Sequence, residues 1–124
     1  MMEYVMVAAG GMIGAVGRYA VTGWISRISD TTFPYGTFVV NVAGSFLLGV
    51  IATLLIDRLA VDPYWRLFLT IGFLGSFTTF STVSYESLRI MEAGMFDIAL
   101  LNLLGSIAFG LVAAWMGVVA ARAI

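Results

Sequence analysis

The stretch of sequence that decides the fold is GFLGSFTTFSTVSYE, residues Gly72–Glu86. Six of the nine residues from Ser76 to Ser84 carry a hydroxyl group, although the flanking residues are apolar. Thr and Ser weaken a regular helix, and Gly72 and Gly75 loosen it further. We therefore predict a helix break near 75–79, close to the bilayer midplane, where broken backbone is tolerated only inside protein or beside a polar cavity. An unbroken, Ser/Thr-rich packing helix is the alternative.

The whole chain is too apolar for an ordinary water-soluble domain. Of its 124 residues, 61% are hydrophobic and 10% are charged, whereas soluble domains carry about a quarter charged residues. Its mean hydropathy is +1.04. Six basic and seven acidic residues give a net charge of −1, which excludes the broad basic surface of a nucleic-acid-binding protein. The absence of Cys and His excludes disulfides, most zinc and haem sites and a His-dependent triad.

Four apolar stretches of about the length that a membrane helix needs divide the chain. We predict an all-α integral membrane protein, one domain over 1–124, with spans at about 4–26, 36–56, 64–91 and 95–121. Pro34 and Pro63 lie in the links, where proline marks helix boundaries. The first span is predicted to be retained rather than cleaved, since Glu3 comes first, no basic segment precedes it and Arg18 lies inside it.

The arginines other than Arg18 are almost evenly divided between the two sides of the membrane. Arg58, Arg66 and Arg122 fall on one side, and Arg27 and Arg89 on the other. Because topology follows this bias, the near balance indicates either a noisy count or dual topology with antiparallel dimers. Four helices enclose little besides their own side chains, so a polar conduit would need a second copy, as in inverted-repeat transporters.

Small and polar residues recur at i+4 spacing, which places them on one helix face. The series are Thr37, Asn41, Ser45, Gly49 and Thr53 in the second span, Asn102, Ser106 and Gly110 in the fourth, and Gly10, Gly14, Arg18 and Thr22 in the first. Glycine and serine at this spacing are typical of close helix packing. An amide in hydrocarbon is costly without partners, so we expect Asn41 and Asn102 to line a polar path.

Arg18 and Glu86 are the charged residues predicted to lie at membrane depth or in a vestibule. Charged side chains there are costly, and they mark functional candidates. Arg18 either attracts an anion, snorkels to the interface or pairs with a carboxylate such as Glu86.

The sequence resembles the Fluc (CrcB) family of fluoride channels over nearly its whole length. The resemblance is carried by GGMIGAVGRY at 10–19, GTFVVNVAGSF at 36–46, and GSFTTFST at 75–82 with Glu86 downstream. It implies a passive, fluoride-selective channel that exports cytoplasmic fluoride across a prokaryotic inner membrane. It also implies an antiparallel, dual-topology homodimer with two pores. A structural Na⁺ would lie at the dimer centre, held by the backbone carbonyls of Gly75 and Thr78.

The resemblance further implies roles for individual residues. The fluoride pathway would include Asn41, Phe80, Ser81, Thr82, Glu86, Asn102 and Ser106, with Arg18 and Thr37 in the vestibule. The family's second pore phenylalanine falls at Val83, where this chain departs from the pattern. Amide and hydroxyl donors can replace the water that fluoride holds tightly, and the positive edge of the Phe80 ring can add to this.

The expected partners are a second copy of the chain, fluoride and membrane lipid, without nucleic acid. No ATP-binding motif or nucleophile arrangement is present, so we predict no enzymatic activity. Two alternatives remain from the residues. A proton-coupled multidrug-type exporter would need a carboxylate central in the first span, where only Glu3 lies at the edge. A non-transporting membrane assembly protein would not need polar residues along so many helices.

Overall fold

The computed structural model describes all 124 residues, which form helical segments joined by short connections. The α-helices are α1 (Met2–Ser29), α2 (Tyr35–Thr53), α3 (Pro63–Arg66), α4 (Gly75–Phe77), α5 (Phe80–Glu92) and α6 (Phe96–Ala123). Wider, π-helical turns extend α2 over Leu54–Arg58 and connect α3 to α4 over Leu67–Leu74.

Four helical runs are long and apolar enough to cross a membrane, which confirms the predicted all-α, four-span fold. We call them spans one to four; they are Met2–Ser29, Tyr35–Arg58, Pro63–Glu92 and Phe96–Ala123. The helical runs extend one to three residues beyond the predicted spans, because the helices continue into the polar residues that border the apolar stretches. The exception is the start of span four, which begins one residue later than predicted.

Local chemistry sets several of the helix ends. Pro34 precedes α2 and Pro63 opens α3, the places where a fixed φ and a missing N–H are tolerated. The Asp62 carboxylate accepts the Tyr64 N–H at 2.9 Å, which caps the start of span three. Asp30 ends α1 in the left-handed region, with φ 40°. The proline boundaries predicted from the sequence are therefore confirmed.

Glycines bring the backbones of neighbouring spans into direct contact. Spans one and three run side by side in the same direction, and a Cβ on Gly72 would lie 2.8 Å from the Val7 carbonyl oxygen. Spans two and four make the equivalent contact, where a Cβ on Gly117 would lie 3.0 Å from the Val50 nitrogen. On the facing helices, Gly14 and Gly49 of the i+4 series lie equally close, since a Cβ there would be 3.1 Å from the Phe73 Cα and the Val118 nitrogen. These glycines act as packing residues, as small residues do between membrane helices.

The outer surface of the bundle is apolar along all four spans. Only 18 of 124 residues are buried, and most large hydrophobic side chains are exposed. Such a surface suits hydrocarbon and not water. At one end of the bundle the Arg58 guanidinium donates to the Arg122 carbonyl, so the connection between spans two and three lies beside the end of span four.

Candidate functional site

Span three is interrupted at Thr78 and Thr79. Both residues are extended, with φ −92° and ψ 159° at Thr78 and φ −154° and ψ 123° at Thr79. Helix α4 ends just before them and α5 begins just after them. The predicted break within 75–79 is confirmed, and the alternative of an unbroken helix is wrong. The interruption removes the helical partners of the carbonyls before it and of the N–H groups after it.

Asn41, from α2, binds the broken backbone with both ends of its side-chain amide. Its Nδ2 donates to the Thr79 carbonyl oxygen at 2.9 Å, and its Oδ1 accepts the Thr79 N–H at 2.7 Å. A side-chain amide has two N–H groups, and the second one makes no hydrogen bond within the chain. Asn41 therefore holds the break and still has a donor to offer.

Arg18, from α1, reaches the other side of the same break. Its Nε donates to the Ser76 carbonyl oxygen at 3.0 Å. The ion pairs of the structure are those of the N-terminal amine with Glu3 and of Arg89 with Glu92. The interpretation that Arg18 pairs with Glu86 is thus wrong, because the half-buried guanidinium is drawn instead to a carbonyl that has lost its helical donor.

The hydroxyl groups of the break satisfy part of its own backbone. The Thr79 Oγ1 accepts the Thr82 N–H at 3.2 Å and donates to the Thr82 hydroxyl at 3.0 Å. The Thr78 hydroxyl donates back to the Leu74 carbonyl at 3.0 Å. Ser81 is exposed, with its Oγ 3.4 Å from the Thr79 hydroxyl. Thr79 thus caps α5 through its side chain.

Five backbone groups at the break make no hydrogen bond within the chain. They are the carbonyls of Gly75, Phe77 and Thr78 and the N–H groups of Phe80 and Ser81. Free carbonyls and free N–H groups therefore lie within a few residues of each other, the former suited to a cation and the latter to an anion.

An open cleft of about 480 Å³ lies beside the break, between α2, α5 and α6. Its polar lining consists of Asn41, Ser45, Thr78, Thr79 and Ser106, and no charged residue borders it. Phe80 and Val83 contribute apolar surface, and the Phe80 side chain is 78% exposed. The structure thus brings together three of the predicted pathway residues, Asn41, Phe80 and Ser106.

Glu86 and Thr37 lie outside this cleft and contact each other. The buried Thr37 hydroxyl donates to Glu86 Oε1 at 2.6 Å, which links α2 to α5. Thr37 is one turn before Asn41 on the same face of α2. The pair therefore lies about one helical turn from the cleft, on the same polar face of α2, and does not line the cleft itself.

Asn102 is fully buried behind the cleft wall. Its Nδ2 donates to the buried Ser87 hydroxyl at 2.9 Å, and its Oδ1 accepts the Ser106 hydroxyl at 3.4 Å. Only Ser106 of this group reaches the cleft. Sequence reasoning misses Ser87, although it falls three residues after Ser84 and continues the run of hydroxyl groups on α5.

An all-helical chain with four spans and a polar cleft at an interruption in the third defines a small polytopic membrane protein. The family model described as "CrcB-like protein, Camphor Resistance (CrcB)" matches residues 5–118. The chain belongs to this family, which confirms the resemblance drawn from its motifs.

Relatives in several bacteria are similar over almost their whole length. The chain is 46% identical over 118 residues to the "Fluoride-specific ion channel FluC" of Acidobacterium capsulatum, covering 95% of this chain and 94% of the relative. It is 45% identical over 121 residues to the FluC of Solibacter usitatus, covering 98% and 99%. The similarity therefore spans the break, the cleft and all four spans.

Proposed function

We propose that the chain is a passive, fluoride-selective channel through which fluoride leaves the cytoplasm across the inner membrane of a prokaryote. The observation that carries the proposal is the near full-length similarity to relatives named fluoride-specific ion channels. Those relatives are channels and not enzymes. The uncharged, polar-lined cleft at the break offers this chain a route consistent with that activity.

The chemistry of the cleft suits a small, strongly hydrated anion. Fluoride gives up its water only to other hydrogen-bond donors. Asn41 borders the cleft and has a second N–H without a partner in the chain. Ser106 also borders the cleft, although its O–H donates to Asn102. Ser81 adds an exposed hydroxyl beside the unpartnered N–H groups at the start of α5. The exposed Phe80 ring can present its positive edge to the ion. The absence of a carboxylate from the lining avoids repulsion.

Other residues of the expected pathway would act beside the cleft. Asn102 would act through Ser106, whose hydroxyl it accepts, and Thr82 through Thr79. Glu86 would act with Thr37 at the approach to the cleft. Together with Arg18, Thr37 would form the vestibule, since the terminal nitrogens of the Arg18 guanidinium make no hydrogen bond within the chain.

The functional unit would be an antiparallel, dual-topology homodimer with two pores. A single chain leaves the cleft open on one side and leaves Gly75 and most of the Phe80 ring exposed. A second copy packed over the break would close the cleft and supply its missing wall. The near-even division of arginines favours insertion in both orientations, and membrane lipid would cover the remaining apolar surface.

A structural Na⁺ at the dimer centre fits the residues present. The Gly75 and Thr78 carbonyls lack partners within the chain, and unwound carbonyls are ligands that Na⁺ accepts in membrane proteins. Two copies would double this set of oxygen ligands. When bound, the ion would supply fixed positive charge near the anion path.

Anion efflux from liposomes tests the proposal. Purified protein is reconstituted into vesicles loaded with fluoride or chloride, and valinomycin balances the charge. Fast fluoride efflux with negligible chloride efflux is the expected result, with protein-free vesicles as the control. Drug-dependent proton flux would instead indicate an exporter, and the absence of any flux would indicate an assembly protein.

A further inference from the structure

We propose that Arg18 is a positioning residue that holds the broken third span together through its Nε donor and not through its positive charge. This role belongs to Nε and is separate from the vestibule role proposed for the terminal nitrogens, and it does not rest on the proposed function. Its basis is the 3.0 Å hydrogen bond from Arg18 Nε to the Ser76 carbonyl, which joins residues 58 apart in sequence.

The Ser76 carbonyl is a group that the break leaves without its helical donor. In an unbroken helix it would accept the N–H of Phe80, four residues later. Since Thr78 and Thr79 are extended, that N–H points elsewhere and makes no hydrogen bond within the chain. Arg18 Nε therefore occupies the place of the missing backbone donor.

The surroundings explain why a side chain from α1 can do this. A Cβ on Gly14 would lie 3.1 Å from the Phe73 Cα, and one on Gly17 would lie 3.7 Å from the Phe77 ring. The backbone of α1 thus runs against the half-helix that ends at Phe77. The carbonyls at the end of a helix carry partial negative charge, and leaving a buried one unpaired is costly.

The contact fixes one side of the break while Asn41 fixes the other. Arg18 holds the Ser76 carbonyl, and Asn41 holds the N–H and carbonyl of Thr79. In sequence, the free carbonyl of Gly75 directly precedes the first of these two contacts, and that of Thr78 lies between them. Loss of the Arg18 donor should therefore loosen the break without changing the residues that line the cleft.

Three substitutions separate the donor from the charge. Arg18→Gln places a neutral N–H donor the same number of bonds from the backbone as Nε. Arg18→Lys keeps the charge but moves the nitrogen one atom farther along the side chain. Arg18→Met keeps similar length without donor or charge. Arg27→Gln is the matched control, because Arg27 is exposed near the end of α1 and its side chain makes no hydrogen bond.

Amide hydrogen exchange of the purified protein is measured for peptides that cover residues 75–82. In Arg18→Met we expect these amides to exchange at least about tenfold faster, since a hydrogen bond from a charged donor is lost. Arg18→Gln should keep an exchange rate within about threefold of wild type, and Arg18→Lys should fall closer to Arg18→Met.

A result in which Arg18→Lys protects the break as well as or better than Arg18→Gln would overturn the proposal in favour of a charge effect. Unchanged exchange in Arg18→Met would also overturn it, because Arg18 would then have no role in holding the break. If Arg18→Met does not fold, the comparison of Gln with Lys still decides the question. The absence of fluoride efflux in wild type would count against the proposed function alone, because the order of exchange rates does not depend on it.

Discussion

Asn41 and Thr79 are joined by two hydrogen bonds, one at each end of the same side-chain amide. The Asn41 Nδ2 lies 2.9 Å from the Thr79 carbonyl oxygen and its Oδ1 lies 2.7 Å from the Thr79 nitrogen. In a β-sheet, the neighbouring strand pairs with the N–H and the carbonyl of an extended residue through two such hydrogen bonds. Here one side chain from α2 does so, and it borders the cleft at the same time.

Replacing Asn41 by Asp should reduce both fluoride efflux and stability. The carboxylate retains an acceptor for the Thr79 N–H but faces the Thr79 carbonyl without a donor, and its charge repels an anion in the cleft. The lost bond should cost about 1–3 kcal/mol in the free energy of unfolding. Efflux from liposomes and thermal unfolding in detergent measure the two effects. Unchanged flux in Asn41→Asp would remove this residue from the ion path.

Phe80→Ile should impair conduction while leaving the folding stability of the single chain almost unchanged. The ring is 78% exposed in the single chain, so little packing is lost, and exposed substitutions usually shift the free energy of unfolding by less than about 0.5 kcal/mol. Isoleucine lacks the positive ring edge that we expect to meet the ion. Phe96→Ile is the matched control, since Phe96 is exposed and does not border the cleft. Equal efflux in the two variants would reduce Phe80 to a packing residue.

Gly49→Ala should destabilise the contact between spans two and four. A Cβ at this position would overlap the Ala114 carbonyl oxygen and lie 3.1 Å from the Val118 nitrogen. Such overpacking typically costs about 1–3 kcal/mol. The control is Gly23→Ala, where a Cβ meets no atom within 4 Å; the higher helix propensity of alanine should there be neutral or stabilising by up to about 1 kcal/mol. The midpoint of thermal unfolding distinguishes the two, and equal midpoints would contradict the assigned packing.

Replacing Na⁺ with a much larger cation during purification should weaken the dimer. The Gly75 and Thr78 carbonyls would lose their proposed ligand, and a bulky organic cation cannot take its place between them. Light scattering or crosslinking of the purified protein, with and without Na⁺, measures the dimer fraction. Restoration by added Na⁺ is the internal control. A dimer fraction that is indifferent to the exchange would argue against a central metal.

The existence of the break could be predicted because its causes are local. Ser and Thr hydroxyls compete with the backbone for its hydrogen bonds. In the structure the Thr78 hydroxyl donates to the Leu74 carbonyl, and the Thr79 hydroxyl accepts the Thr82 N–H. The four spans could also be predicted, since the length of each apolar stretch is read directly from the sequence. The packing role of Gly10 and Gly14 followed from their spacing, because residues four apart meet the same neighbouring helix.

The partners across the bundle could not be predicted, because they depend on how the spans are arranged. Arg18 offers its Nε to a carbonyl and not to the carboxylate of Glu86, a choice that the sequence alone leaves open. The burial of Asn102 behind Ser106 likewise depends on the rotation of α6 against α5. Spacing places a residue on a face, but the identity of the facing helix comes from the packed structure.

The glycine contacts between neighbouring spans give the molecule a further mechanical property. Span one is joined to the first half of span three, while α5, the second half, rests against α6, which is joined to span two. The helices thus pack as two groups, which also touch where α1 meets α2, and within span three Thr78 and Thr79 form the joint between the groups. A small rotation of one group against the other would bend the chain at this joint, which borders the cleft, without melting a single helical turn.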